Sequence, residues 1–202
     1  MKSVVIAGYA RSPFTLAKKG ELARVRPDDL AAQTVRALVQ RTGVDPAEIE
    51  DLLVGCAFPE GEQGFNVARI IGFLAELPLS VGGATVNRFC GSSMQAIHMA
   101  AGAIQMNAGE VFLCAGVESM TRVPMGLASS LPAKNGFGHY KSPGIEKKYP
   151  NIMFSQFTGA EMMAEKYGLS KDDLDKFSYE SHQRAIAATQ AGKFKDEIIP
   201  LQ

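Results

Sequence analysis

The apolar positions of this chain repeat with two periods, and the change from one to the other marks its elements. Val4-Val5-Ile6-Ala7 is a short continuous apolar run closed by Gly8, which predicts a first buried strand over 2–7. Pro27-Asp28-Asp29 has the form of a helix start, with proline in the first turn and acids at the positive end of the dipole. Leu30, Ala31, Val35, Leu38 and Val39 then share one helical face, and Gly43 stands where a terminating glycine belongs. Asp45-Pro46-x-Glu48 predicts a short capped turn, and Leu52-Leu53-Val54-Gly55 a second strand. After a loop at Gly61–Gly64, the pattern predicts a helix from Val67 to Leu77 stopped by Pro78. A third strand follows from Ala84 to Phe89, a helix from Cys90 to Asn107, and a fourth strand from Val111 to Ala115. The helix after Cys90 is rich in Ala, Gly, Ser and Met. Small residues on several of its faces predict enclosure between other elements, with Met94, Met99 and Met106 as core fillers. Strands alternating with helices predict an α/β fold, with a mostly parallel sheet covered on both faces.

The pattern breaks after Glu118, which sets a boundary between a lobe at 1–120 and a second region at 121–202. Residues 119–150 hold four Pro and four Gly with little periodicity, and carry Arg122, Lys134, Lys141, Lys147 and Lys148 against Glu146 alone. Long structureless stretches of this kind are uncommon inside compact domains and often serve function. Helical periodicity returns at about 158–167, ended by Gly168. Ser170-x-x-Asp173 forms a capping signal for a long helix running to Gly192, and Ile198-Ile199-Pro200 reads as the beginning of another strand.

Composition narrows the function classes. The 202 residues carry 21 Lys+Arg and 21 Asp+Glu, so there is no chain-wide basic excess to meet nucleic acid or an anionic membrane. An apolar fraction of 46% supplies a core and excludes disorder. The run after Lys2 is too short for a signal-peptide core, and no apolar stretch reaches spanning length, so a cytoplasmic protein is expected. The three cysteines at 56, 90 and 114 are odd in number and contain no Cys-x-x-Cys. They support neither a disulfide framework nor a zinc site, and reduced thiols are expected.

Cys90 stands out by position, between a strand end and a helix start, within Thr85-Val86-Asn87-Arg88-Phe89-Cys90-Gly91-Ser92-Ser93. The carboxyl end of a parallel strand is where α/β ligand sites form. Free N–H groups and the positive dipole end of a helix favour thiolate there, and Gly91 admits close approach. The bland alternative is a small buried hydrophobe. A nucleophilic thiol needs a base, and three histidines are available. His98 lies eight residues along the same helix, about 12 Å up its axis, and is out of reach. His139 falls in the irregular stretch and His182 on the last helix, and no motif places either of them. Cys56 and Cys114 read as structural core.

These residues resemble a known family. Asn87-Arg88-Phe89-Cys90-Gly91-Ser92-Ser93-Met94-Gln95-Ala96-Ile97 is similar to the acyl-enzyme cysteine motif of thiolases of the degradative, 3-ketoacyl-CoA type. Ala10–Phe14, Gly64–Arg69, Ala115–Met120, Ala160-Glu161, Tyr167–Ser170 and Ala191–Ile198 continue the resemblance in order along essentially the whole chain. The resemblance implies the amino-terminal half of a layered α/β/α thiolase lobe, lacking its last strand and helix. It also implies Cys90 as nucleophile, attacking the 3-keto carbon and holding the acyl group until a second CoA takes it. The Cys90 backbone N–H would donate to the oxyanion. Neither a metal nor a redox cofactor is implied, coenzyme A being a substrate.

The resemblance further implies a homodimer or dimer of dimers, a CoA-covering role for the basic stretch, and membership of fatty acid β-oxidation. It places the activating Gly-His-Pro histidine and a second, Cys-x-Gly cysteine in a following half, in agreement with the failed search for a base. An inactive chain, or a subunit that pairs with a separate carboxyl-half chain, is therefore an alternative expectation. A condensing enzyme of the wider superfamily is another. Gln156-Phe157 departs from the Met-Gly pair common in relatives, so chain-length preference is not carried over.

Overall fold

The computed structural model describes residues 2–123, 143–150 and 156–201. The chain forms two compact units, Met1–Ala128 with Asp196–Gln202, and Ser129–Lys195. In the first unit, α1 (Pro27–Thr42), β1 (Ile49–Gly55), α2 (Val67–Leu74), β2 (Gly82–Val86), α3 (Ser92–Gln105) and β3 (Val111–Gly116) follow in order. The second holds α4 (Pro143–Lys148), α5 (Gln156–Tyr167) and α6 (Lys171–Gln190).

The three strands form one sheet in the order β2-β1-β3, with β1 parallel to both neighbours. Leu53 pairs with Ala84 on one side and Cys114 on the other. Because side chains alternate along a strand, β1 feeds two cores. Leu52 and Val54 join Ala31, Ala32, Val35, Val39, Val67, Ala68, Ile71 and Leu113 in the larger cluster under α1 and α2. Leu53 turns the other way, to Ala96 and Ala100 of α3, with Ala84, Phe112 and Cys114 packed alongside. This is the layered α/β/α arrangement expected, built on a central strand buried on both faces.

The helix ends follow their sequence signals. Pro27 opens α1, and Gly43 closes it at φ 67°, its N–H reaching the Val39 carbonyl. Asp45 caps the turn at Pro46–Glu48 by accepting from the Ala47 N–H. Ser170 and Asp173 form the reciprocal capping box of α6. The Ser170 cap holds the Asp173 carboxyl below its usual range.

Five expectations are corrected. Residues 2–7 join no ladder among the described residues, and Val5 and Ile6 are 76% and 77% exposed. An apolar run reports a tendency to be buried, but strand structure needs a partner edge as well. Toward the ends of this segment, Lys2 Nζ bonds Glu110 at 3.1 Å and the Lys2 carbonyl accepts from Gln105, while beyond Gly8 the Tyr9 carbonyl accepts from Arg41 at 3.2 Å. Second, among the described residues α3 buries one face. Ser92, Ala96 and Ala100, four residues apart, are buried, whereas Met94, Met99 and Met106 are exposed rather than core. The small residues therefore mark a single close packing line against the sheet. Third, α2 stops at Leu74, three residues before the sequence signal: the Ala75 N–H still reaches the Ile71 carbonyl, and Glu76 then turns left-handed at φ 61°. The stretch expected to be structureless includes α4, while Lys134, His139 and Lys141 lie outside the described residues. Ile198 begins no extended strand; it makes one parallel bridge with Arg11.

Candidate functional site

The carboxyl ends of β1, β2 and β3 lie side by side, and the loops leaving them build the site. Beyond β2 the chain runs Asn87-Arg88-Phe89-Cys90-Gly91 before α3 begins at Ser92, two residues later than the sequence pattern indicates. Cys90 is thus in the turn that enters the helix, with Gly91 at the N-cap. The turn is tight. Phe89 takes φ 47°, a left-handed conformation that costs a non-glycine residue about 1–2 kcal/mol. Local bonds hold it there. The Asn87 Oδ1 accepts from the Phe89 N–H at 2.9 Å, the Gly91 N–H donates to the Arg88 carbonyl at 3.1 Å, and the Ser92 N–H donates to the Phe89 carbonyl at 3.0 Å. Ser92 Oγ, on a buried residue, accepts from the Arg88 N–H at 2.9 Å and donates back to the Phe89 carbonyl. The result is an exposed Cys90 thiol on a braced turn.

What seats α3 on the sheet is the absence of side chains beneath its first turn. A Cβ on Gly55, the last residue of β1, would run into the backbone of Ser92 and Ser93. One on Gly116, the last of β3, would lie 3.0 Å from Ser93 Cβ. Two glycines at paired positions, Gly55 opposite Gly116, let the start of α3 sit directly on the strand ends.

Behind the turn lies a buried polar cluster that the sequence reading missed. Gln63, fully buried, donates from Nε2 to Glu118 Oε1 at 2.6 Å and to the Phe58 carbonyl at 2.9 Å, and its Oε1 accepts from the Ser119 N–H at 2.7 Å. The other carboxylate oxygen of Glu118 accepts from the Ala57 N–H at 2.8 Å. Cys56 sits inside this cluster, its Sγ accepting from Gln63 at 3.3 Å. Burial, reinforced by the Glu118 charge, pushes its thiol up to about 11. No local signal marks the cluster: it forms because β1 and β3 are neighbours in the sheet, which brings the residues just past their ends together.

A second cluster flanks the site. Glu62 receives Arg122 through two bonds, of 2.6 and 2.5 Å, and lies 3.1 Å from Arg26, which is itself held by the buried Asp28. The Arg122 fork holds the Glu62 carboxyl below its usual range, and the Asp28 bond holds the Arg26 guanidinium up. One basic residue of the irregular stretch is thereby committed to an internal ion pair.

Cys114 is half-buried on the α3 face of the sheet, where burial raises its pKa. Cys114-Ala115-Gly116 does spell Cys-x-Gly, but it is the end of β3 and its thiol packs beside Leu53, Ala96 and Ala100. His98 is exposed on α3, and His182 belongs to the second unit. Among the described residues no group of three or more His, Cys, Asp or Glu is disposed to hold a metal. None of the described helices is long and apolar enough to cross a membrane.

Comparison with known proteins agrees with this geometry. The family model for the thiolase N-terminal domain matches residues 4–202. A 3-ketoacyl-CoA thiolase of Bacillus subtilis (strain 168) is 45% identical over 204 aligned residues, covering 100% of this chain and 49% of that protein. A 3-ketoacyl-CoA thiolase of Psychrobacter sp. (strain PRwf-1) is 42% identical and one of Acinetobacter baumannii (strain AYE) 44%, each over 201 residues with the same coverage. The chain thus spans about half the length, 49%, of the curated relatives it matches. With the family model running across all but its first three residues, and a sheet-end cysteine braced at the head of a buried-faced helix, this chain belongs to the thiolase family.

Proposed function

We propose that the chain supplies the nucleophile of a thiolytic acyl transfer on 3-ketoacyl-CoA. The observation that carries this reading is the exposed Cys90 thiol, presented by a left-handed turn at the head of α3. The Cys90 sulfur attacks the 3-keto carbon, and the carbonyl electron pair moves to oxygen. The Cys90 backbone N–H donates to that oxyanion. Collapse breaks the bond between carbons 2 and 3. The pair leaves on carbon 2, which takes a proton to give acetyl-CoA, and the acyl group remains as a thioester on Cys90. The thiol of a second CoA attacks this thioester, and collapse returns Cys90 and releases the shortened acyl-CoA.

General acid–base assistance to such steps is worth about 10²–10⁴-fold. The chain matches 49% of the length of its relatives, and we assign the proton transfers to groups in the half it does not match. We expect the functional form to be an oligomer acting on soluble CoA esters in the cytoplasm.

The test is iodoacetamide labelling with peptide mass mapping, followed by thiolysis after mixing with the carboxyl half of a relative. Labelling of Cys90 ahead of Cys56 and Cys114, and thiolysis lost in Cys90→Ala, are expected. Indiscriminate labelling, or thiolysis undiminished in Cys90→Ala, would overturn the assignment.

A further inference from the structure

We propose that Asn87 and Glu118 are positioning residues for Cys90, acting through one hydrogen-bonded relay that links the ends of all three strands to the nucleophile turn. The inference rests on the reading of Cys90 as the nucleophile. Its observations are separate from those that place the thiol.

The relay begins in the buried cluster. Gln63 donates to Glu118 at 2.6 Å, which fixes the carboxylate beyond the end of β3. The same carboxylate accepts from the Ala57 N–H at 2.8 Å, just past the end of β1. The Ala57 carbonyl in turn accepts from Asn87 Nδ2 at 3.1 Å, just past the end of β2. Asn87 Oδ1 then accepts from the N–H of Phe89, the left-handed residue immediately before Cys90, at 2.9 Å. Both functional ends of one amide are used, one toward the sheet and one toward the turn. An Asn two residues before a strained position is able to hold it locally by its oxygen alone. The additional donor bond to Ala57 is what ties the turn to the sheet.

The strain gives the relay its purpose. A left-handed Phe89 persists only where its surroundings over-determine it. Ser92 grips the turn from the helix side and Asn87 from the strand side. Phe58, one residue past Ala57, sets its ring 6.4 Å from that of Phe89 at a tilt of 55°. Loosening the strand side frees the turn without touching the thiol or the core beneath α3. Such small displacements of a reacting group are able to cost up to about a hundredfold in rate.

The experiment measures iodoacetamide rates at Cys90 and Cys56 in the full chain and in Asn87→Ala and Asn87→Ser, with circular dichroism as a check of folding. Asn87→Ala is expected to slow Cys90 several-fold, because the released turn no longer holds the thiol at its exposed position, while Cys56 stays protected. Asn87→Ser keeps an acceptor for the Phe89 N–H but is too short to reach Ala57, and the same slowing is expected. A wild-type rate in Asn87→Ala overturns the proposal. A wild-type rate in Asn87→Ser alone confines the role to the local turn and overturns the part given to Glu118. A rise in Cys56 labelling together with the loss at Cys90 assigns Asn87 a structural role, and also overturns it. A wild-type chain without preference for Cys90 fails the nucleophile reading instead, a result distinguishable from preferential labelling that the substitutions leave unchanged.

Discussion

Cys56 and Cys90 follow neighbouring parallel strands, and each lies past a carboxyl end where α/β proteins gather their chemistry. Their fates diverge within a few residues. Cys56 comes directly after β1, is buried, and is surrounded by Gln63 and Glu118, so its thiol is held protonated. Cys90 comes four residues after Val86, on a turn that lifts it out of the sheet to the head of α3, and is exposed. Two equivalent strand ends of one sheet bury one thiol and expose the other. The difference comes from the loop: the β1 exit is filled by a polar cluster, while the β2 exit is braced by it.

Three changes would break or sharpen this contrast. The largest is Gly55→Ala. The added Cβ meets backbone rather than a flexible side chain, so the start of α3 must lift from the sheet. A loss of about 3 kcal/mol is expected in denaturant unfolding, and the selectivity of Cys90 labelling should fall with it. Full stability in that variant would show that α3 is not seated through Gly55.

Next is Gln63→Ala. It leaves the Glu118 carboxylate without its buried amide donor and the Ser119 N–H without its acceptor. Unpaired buried groups of this kind cost about 2 kcal/mol, read as a lowered unfolding midpoint. Cys56 should then become open to alkylation while Cys90 slows, because Glu118 loses the donor that fixes it, and the contrast would shrink from both sides.

The last effect is absent at neutral pH and concerns alkaline solution only. The Cys56 thiol is raised from 9.0 to about 11 in the folded chain, so above pH 9 the unfolded state gives up its proton more readily than the folded state. Stability is therefore unaffected below pH 9 and falls between there and about 11, at up to about 1.4 kcal/mol per pH unit from this one group. Cys56→Ala should remove that part of the slope in unfolding measured across the window. An unchanged slope would mean that Cys56 is not buried as described.

Much of the fold was legible because its signals are local. The 3.6-residue face of α1, its Pro27 start and Gly43 stop, and the Ser170–Asp173 box all lie within single elements, and all are observed. Local signals misled where the outcome depended on a partner. Among the described residues Val4–Ile6 has strand composition without a ladder, and Met94 and Met99 of α3 have core composition yet stand exposed. Cys90 was legible as a candidate from its place between a strand and a helix, although the helix begins two residues later than its pattern suggests.

The sequence by itself determined the alternation of strands and helices and the parallel sheet that follows from it, and it singled out Cys90 as a candidate, since each rests on periodicity or on neighbours in the chain. Only the tertiary structure decided what surrounds that cysteine. Asn87, Ala57, Glu118 and Gln63 come from four separate segments and meet because parallel strands bring their carboxyl ends to one edge. The order in which strands become neighbours is a property of the sheet as a whole. No window of sequence carries it, and with it goes the difference between a thiol held buried and a thiol held ready.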